Sequence, residues 1–181
     1  VAVDSQFNVY AGDGGGYVDK LDSNGNNILQ WKDIYDVNGV AVDSQFNVYA
    51  GDGGGYVAKL DSTGKLVWMP LAPSTVTSIA VDSQFNVYVG DYANHVTKLD
   101  SNGNKVWQWT APATVKSVAV DSQFNVYVGD DAHHVTKINS NGNQVWQWMA
   151  PSGVNSVAVD SQFNVYAGDN GHHVTKLQTK G

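Results

Sequence analysis

The chain has 181 residues, a formal charge of −7 with His neutral, and no Cys, so it is long enough for a substantial core but can form no disulfide, thiolate metal site or cysteine nucleophile. All 17 acidic residues are Asp and all 10 basic residues are Lys; an acidic chain without Arg lacks the basic patches that nucleic acid or an anionic membrane surface would require. Without Glu or Arg, and rich in Val, Tyr, Trp, Thr, Gly, Asn and Asp, the sequence uses the vocabulary of strands and turns, and an all-β fold is expected.

The elements follow one another in a fixed order. VAVDSQFNVY, with Ile once in its first place, recurs at residues 1, 40, 79, 118 and 157, a period of 39. Units 1–39, 40–78, 79–117 and 118–156 are complete, and 157–181 stops two-thirds of the way through a fifth. Within the third unit, a first strand ending in Ala80–Val81–Asp82 is followed by Asp-Ser-Gln-Phe-Asn, then NVYVGD, then a Gly-Asp loop, then HVTKLD. An Asp-Ser-Asn-Gly-Asn hairpin leads next to KVWQW, and a Pro-bearing connection closes the unit. Four strands of about five residues with four connections of about the same length fill the period without a helix. Four-stranded units repeated at about 40 residues predict a β-propeller. Apolar residues on both strand faces suit blades sandwiched between neighbours, with VAVD innermost and the Trp-bearing run at the rim. The chain is thus read as a single domain, 1–181: a five-bladed propeller of four-stranded antiparallel blades. Its last blade lacks the outermost strand unless an upstream segment completes it. The opening on VAVD without Met leaves open a processed, truncated or engineered piece. No stretch approaches the roughly 18 uninterrupted apolar residues of a membrane-spanning helix, and no secretory leader is evident, so the chain is read as soluble.

SVAVDSQFNVYVGD followed by HVTK, at 117–137, resembles the NHL-type propeller repeat, and Asn-Gly-Asn-x-Val-Trp at 141–146 is similar to the Gly-x-x-x-Trp stretch of quinoprotein-like bacterial propellers. The resemblance covers the whole chain and implies the propeller architecture. It also implies that the Trp docks between blades, while such propellers carry lectins, lyases, dehydrogenases and passive scaffolds alike. Phe7, Phe46, Phe85, Phe124 and Phe163 stand where the family usually has Gly, and the Arg common in the second NHL loop is missing, which weakens any RNA-binding analogy.

Several repeated groups are candidates for chemistry. Asp4, Asp43, Asp82, Asp121 and Asp160 could ring a cation, but Asp-Ser opening a turn more naturally accepts local backbone N–H bonds. The second loop varies on a constant frame, which is where binding usually resides. Its candidate ligand-binding residues are Tyr17, Tyr56, Asn94, His95, Asp131, His133, His134, His172 and His173, suited to hydrogen bonding and stacking with a glycan or small polar ligand. Packing of the Tyr and His against the next blade is the competing reading. A Zn²⁺ site is conceivable there, but no metal-type spacing occurs within a unit, and no metal or other cofactor is assigned. Trp109 and Trp148 join the binding set as possible stacking platforms, although alternate Trp on a strand more often packs between blades. The five Phe form a possible apolar rim for a protein partner.

Catalysis normally needs an asymmetric set of roles, whereas every polar group here comes in copies, so no catalytic residue is assigned. The expected function is a non-catalytic, lectin-like multivalent binding module with sites between adjacent blades. The alternative is a structural or protein-interaction scaffold, natural or recently amplified or engineered. A metal-dependent lyase or hydrolase on a similar propeller is third. A monomer in an extracellular or cell-surface setting is expected.

Overall fold

In a computed structural model, which describes residues 1–33 and 35–177, each unit forms one antiparallel sheet and no helix occurs among those residues. The first blade holds β1 (Ala2–Val3), β2 (Val9–Gly12), β3 (Tyr17–Leu21) and β4 (Asn27–Lys32). The second holds β5 (Val37–Val42), β6 (Val48–Asp52), β7 (Val57–Leu60) and β8 (Leu66–Trp68). The third holds β9 (Val76–Val81), β10 (Val87–Asp91), β11 (His95–Leu99) and β12 (Lys105–Thr110). The fourth holds β13 (Val115–Val120), β14 (Val126–Asp130), β15 (His134–Ile138) and β16 (Gln144–Met149). The fifth is β17 (Val154–Val159), β18 (Val165–Asp169) and β19 (Val174–Leu177). Strands pair in sequence order within every sheet, and the fifth sheet has three strands. This is the five-bladed propeller with a short last blade that the repeat predicts.

The first strands of successive blades pack against one another, so β5, β9, β13 and β17 line the axis and the Trp-bearing strands form the rim. The core is not inside a blade but between blades. One cluster joins Ala41, Tyr49 and Val57 of blade 2 to Val76, Ile79, Val87 and Val89 of blade 3, and equivalent clusters join blades 1 and 2, 3 and 4, and 4 and 5. Close approach depends on glycine. A Cβ on Gly90 would lie 2.5 Å from Val115 Cγ1, and one on Gly129 would lie 2.6 Å from Val154 Cγ1, so a valine of the next blade sits directly on the glycine backbone.

The two ends of the stack differ from its interior. Val174, whose counterparts Val18, Val57, Val96 and Val135 are buried, is 81 % exposed. Val1 is 84 % exposed, whereas its counterparts Val40, Ile79, Val118 and Val157 are buried. Gly168, the fifth glycine of the series, has only its own blade's Ser156 Oγ near a would-be Cβ, with no valine across from it. Among the described residues, the leading face of blade 1 and the trailing face of blade 5 are left uncovered, each matching one half of an interface that is built four times internally.

Candidate functional site

The first connection is a closed hydrogen-bond cage. In blade 4, Asp121 Oδ1 accepts the N–H groups of Gln123 (2.8 Å) and Asn125 (2.9 Å), while Oδ2 accepts Asn125 Nδ2 (2.9 Å) and the Tyr127 hydroxyl (3.0 Å). The same four bonds recur at Asp4, Asp43, Asp82 and Asp160. Burial and the adjacent carboxylate push the hydroxyls of Tyr10, Tyr49, Tyr88 and Tyr127 upward in pKa, so they remain donors. A lysine ammonium lies over each ring, as Lys98 Nζ does at 5.4 Å from the Tyr88 centroid. With both oxygens occupied by the protein's own donors, these carboxylates hold the turn and have little capacity left for a cation. The Phe of each turn has positive φ, 64–66°, a position that glycine would fill without strain. Phe46, Phe85, Phe124 and Phe163 are half-buried, whereas Phe7, on the uncovered leading face, is 73 % exposed.

The second loops place the expected binding residues in three different situations. His95, His134 and His173 each turn Nδ1 back onto the aspartate four residues earlier, Asp91 (3.2 Å), Asp130 (3.2 Å) and Asp169 (3.1 Å), which also accepts the histidine backbone N–H. Burial pushes the Asp169 carboxyl up, and the His173 hydrogen bonds outweigh it to leave the carboxyl below its ordinary range. Asn94, His133 and His172 instead occupy left-handed turn positions, with φ of 72°, 73° and 64°. The carbonyls of Asn94 and His133 accept the N–H groups of Ala111 and Ala150 at 2.7 Å, which ties each loop to the end of the outermost strand. The paired histidines at 134 and 173 and their neighbours at 133 and 172 therefore do not converge on one ligand.

Units 1 and 2 carry Tyr where units 3 to 5 carry the paired His. Tyr17 lies under Lys32 Nζ at 5.1 Å, and Tyr56 stacks on Tyr35 with centroids 6.2 Å apart. Because Tyr56 offers no ring donor to Asp52, the fully buried Asp52 Oδ2 has no hydrogen-bond partner, and burial pushes that carboxyl upward. Asp131 pairs with Lys116 Nζ at 2.9 Å, and the same ammonium lies 6.0 Å from the ring centroid of Tyr92, which is 61 % exposed. This cluster spans blades 3 and 4. Trp109 and Trp148 are half-buried and belong to the apolar clusters between blades 3 and 4 and between blades 4 and 5. No group of three or more His, Asp or Glu side chains able to hold a metal ion converges among the described residues.

Reading the sequence did not single out an open cavity of about 430 Å³ between blades 2 and 3, lined by Val57, Pro70, Ala72, Val89, Thr97 and Leu99 among others. Its signal in the sequence is Pro70, which stands where units 1, 3 and 4 have Trp31, Trp109 and Trp148.

Comparison with known proteins agrees with this geometry. The profile of the family described as outer membrane protein assembly factor BamB matches residues 14–163 and, in an overlapping second alignment, 93–181. This is a quinoprotein-like propeller repeat family; the resemblance to the NHL type in particular is not what matches. No curated protein matches the chain.

Proposed function

We propose that the chain, which belongs to the family described as outer membrane protein assembly factor BamB, is a non-catalytic interaction scaffold whose two end faces bind further blades of their own kind. The uncovered faces carry this reading. The trailing face of blade 5 presents Ala158, Tyr166 and Val174, and the leading face of blade 1 presents Val1, Val3 and Val9. These are the residue types that meet at each of the four internal interfaces, so a second copy supplies a complementary surface head to tail. The repeated polar groups add support, because the Asp-Asn-Tyr cages and His-Asp pairs brace turns and loops and, among the described residues, leave no set of distinct catalytic roles. The family description concerns outer-membrane assembly, and it is the ground on which we place this chain outside the cytoplasm. The test is sedimentation velocity over a wide concentration range. Wild type is expected to associate reversibly and Val174→Asp to remain monomeric; a wild-type monomer at every concentration would refute the scaffold reading.

A second reading, lectin-like glycan binding between blades, is favoured by one observation: exposed Tyr92 flanked by the Lys116–Asp131 pair is a stacking platform with polar groups at its edge. A glycan array with calorimetric stoichiometry on any hit tests it. Loss of the hit in Tyr92→Ala supports it, and a blank array with folded protein counts against it.

A further inference from the structure

The cavity between blades 2 and 3 is independent of the end faces and departs from the repeat in a specific way. At the other three internal interfaces an indole on the outermost strand, Trp31, Trp109 or Trp148, packs against the following blade. In unit 2 that place is taken by Pro70. Proline has no N–H to continue the regular pairing with β7, so β8 ends at Trp68 and the chain beyond it meets the β7 hairpin through the isolated Tyr56–Leu71 bridge and single backbone hydrogen bonds. The Pro70 carbonyl still accepts the Val57 N–H at 3.0 Å, so the connection is anchored and the space beside it is held open. Val57, Ala72, Val89 and Leu99 make its walls apolar, and a volume of about 430 Å³ lies within the range of small-molecule sites.

One polar group in this space is unspent. Thr97, on β11, is 5 % exposed, lines the cavity, and its Oγ1 has no hydrogen-bond partner. In blade 4 the matching hydroxyl, Thr136 Oγ1, accepts Gln147 Nε2 at 3.1 Å. In blade 3 the corresponding Gln108, which also lines the cavity, makes no such bond to Thr97 and accepts Lys105 Nζ through Oε1 at 3.3 Å. A buried hydroxyl without a partner is costly in an apolar wall and becomes favourable once a ligand donor reaches it.

We infer that the space left by the missing indole is a binding site for a planar bicyclic aromatic of indole size, seated between Pro70 and the β10–β11 face of blade 3 and donating a ring N–H to Thr97 Oγ1. Its neighbours are the kind of apolar strand residues against which the protein's own indoles pack at the other interfaces. A single copy per chain follows, because Pro70 occurs in one unit only.

The probe is 5-fluoroindole, followed by fluorine NMR against the intact chain, with melting temperature as a second readout. Wild type is expected to shift and broaden the fluorine signal saturably at one equivalent and to melt higher with the probe. Pro70→Trp fills the site from within; it is expected to fold, since three other units carry Trp there, and to abolish binding. Thr97→Val keeps the β-branched shape and removes the acceptor, and is expected to weaken binding about fivefold, the equivalent of one hydrogen bond of about 1 kcal/mol. No saturable binding by wild type at millimolar probe, or undiminished binding by folded Pro70→Trp, overturns the assignment. If Pro70→Trp fails to fold, unchanged affinity in Thr97→Val overturns the proposed hydrogen bond and pose.

Discussion

Gly90→Ala and Gly168→Ala are the same chemical change at matching places in two blades, yet only the first is expected to destabilise the protein. At Gly90 the new methyl would lie 2.5 Å from Val115 Cγ1, 3.3 Å from Val115 Cβ and 3.4 Å from Val118 Cγ1. Carbon atoms rest at about 3.5–4.0 Å, so blade 4 must retreat from blade 3 by roughly 1 Å along its innermost strand. Overpacking of this kind costs about 1–3 kcal/mol, and the stiffer unfolded chain of an alanine variant returns about 0.4–1 kcal/mol. A net loss of about 1–2 kcal/mol is expected. At Gly168 the only near atom is the Ser156 hydroxyl oxygen at 2.9 Å, which rotates away, so the variant should be neutral or slightly more stable. Neither glycine has a positive φ, so alanine is compatible with both backbones. Guanidinium unfolding followed by tryptophan fluorescence, in dilute solution where end faces stay unpaired, gives both midpoints. Gly90→Ala with Val115→Ala should lose less than the sum of the two single changes, because the clashing methyls are gone. Equal losses in Gly90→Ala and Gly168→Ala would refute the argument that blade stacking, rather than strand backbone, requires the glycine.

The repeat carries most of the fold in plain view. A 39-residue period with four apolar runs sets strand number and order, and Asp-Ser and Asn-Gly turns set the connections. The turn reading of Asp4, Asp43, Asp82, Asp121 and Asp160 was accessible because an aspartate opening a turn finds its donors within a few residues. Leu29, standing where the third unit has Trp107, points to bulk rather than recognition at that place, whereas Pro70 in the place of Trp109 marks a looser, more exposed position and does not reveal that Trp109 and Trp148 also pack between blades. Harder to read was anything decided by a side chain's direction. His133 and His134 are adjacent, but one takes a left-handed turn position and the other folds back onto Asp130; the repeat marks the first place by aligning His133 with Gly16, Gly55 and Asn94, yet nothing in it shows that the His134 ring turns onto the aspartate. Phe at positive φ runs against residue preference, and its one signal is that these Phe stand where the resembled family usually has Gly. The cavity at Pro70 depends on two units at once: a lost indole in one and a hydroxyl without its glutamine in the next. A repeat makes such a double departure visible only after the blades are stacked.

Three further outcomes follow from the hydrogen-bond network. Tyr127→Phe removes the donor to Asp121 Oδ2 inside the buried cage and should cost about 1–3 kcal/mol by chemical denaturation, with a smaller loss for Tyr166→Phe, whose ring is half-exposed on the uncovered face. Tyr56→His copies the His-Asp pair of blades 3 to 5, and NMR titration should find Asp52 moved down from its raised position; an unmoved Asp52 would show that burial alone governs it. The third concerns acid. Hydrogen bonds from the Asn26, Thr63 and Asn104 side chains, together with local backbone N–H groups, hold Asp22, Asp61 and Asp100 below the ordinary aspartate value of 3.8. A carboxyl whose pKa falls on folding binds more protons when unfolded, so its stabilisation is present above 3.8 and is lost as pH drops through the folded value. Asp52 has the opposite sign: its pKa rises on folding, so protonation near and below its folded value favours the native state. The fourth unit already carries the control, because Asn139 Oδ1 accepts the N–H groups of Asn141 and Asn143 at 3.0 Å with no charge to titrate. Asp100→Asn should therefore keep the hairpin while making stability fall less steeply between pH 4 and the acid midpoint; an unchanged acid limb would mean that this exposed turn contributes nothing to acid unfolding.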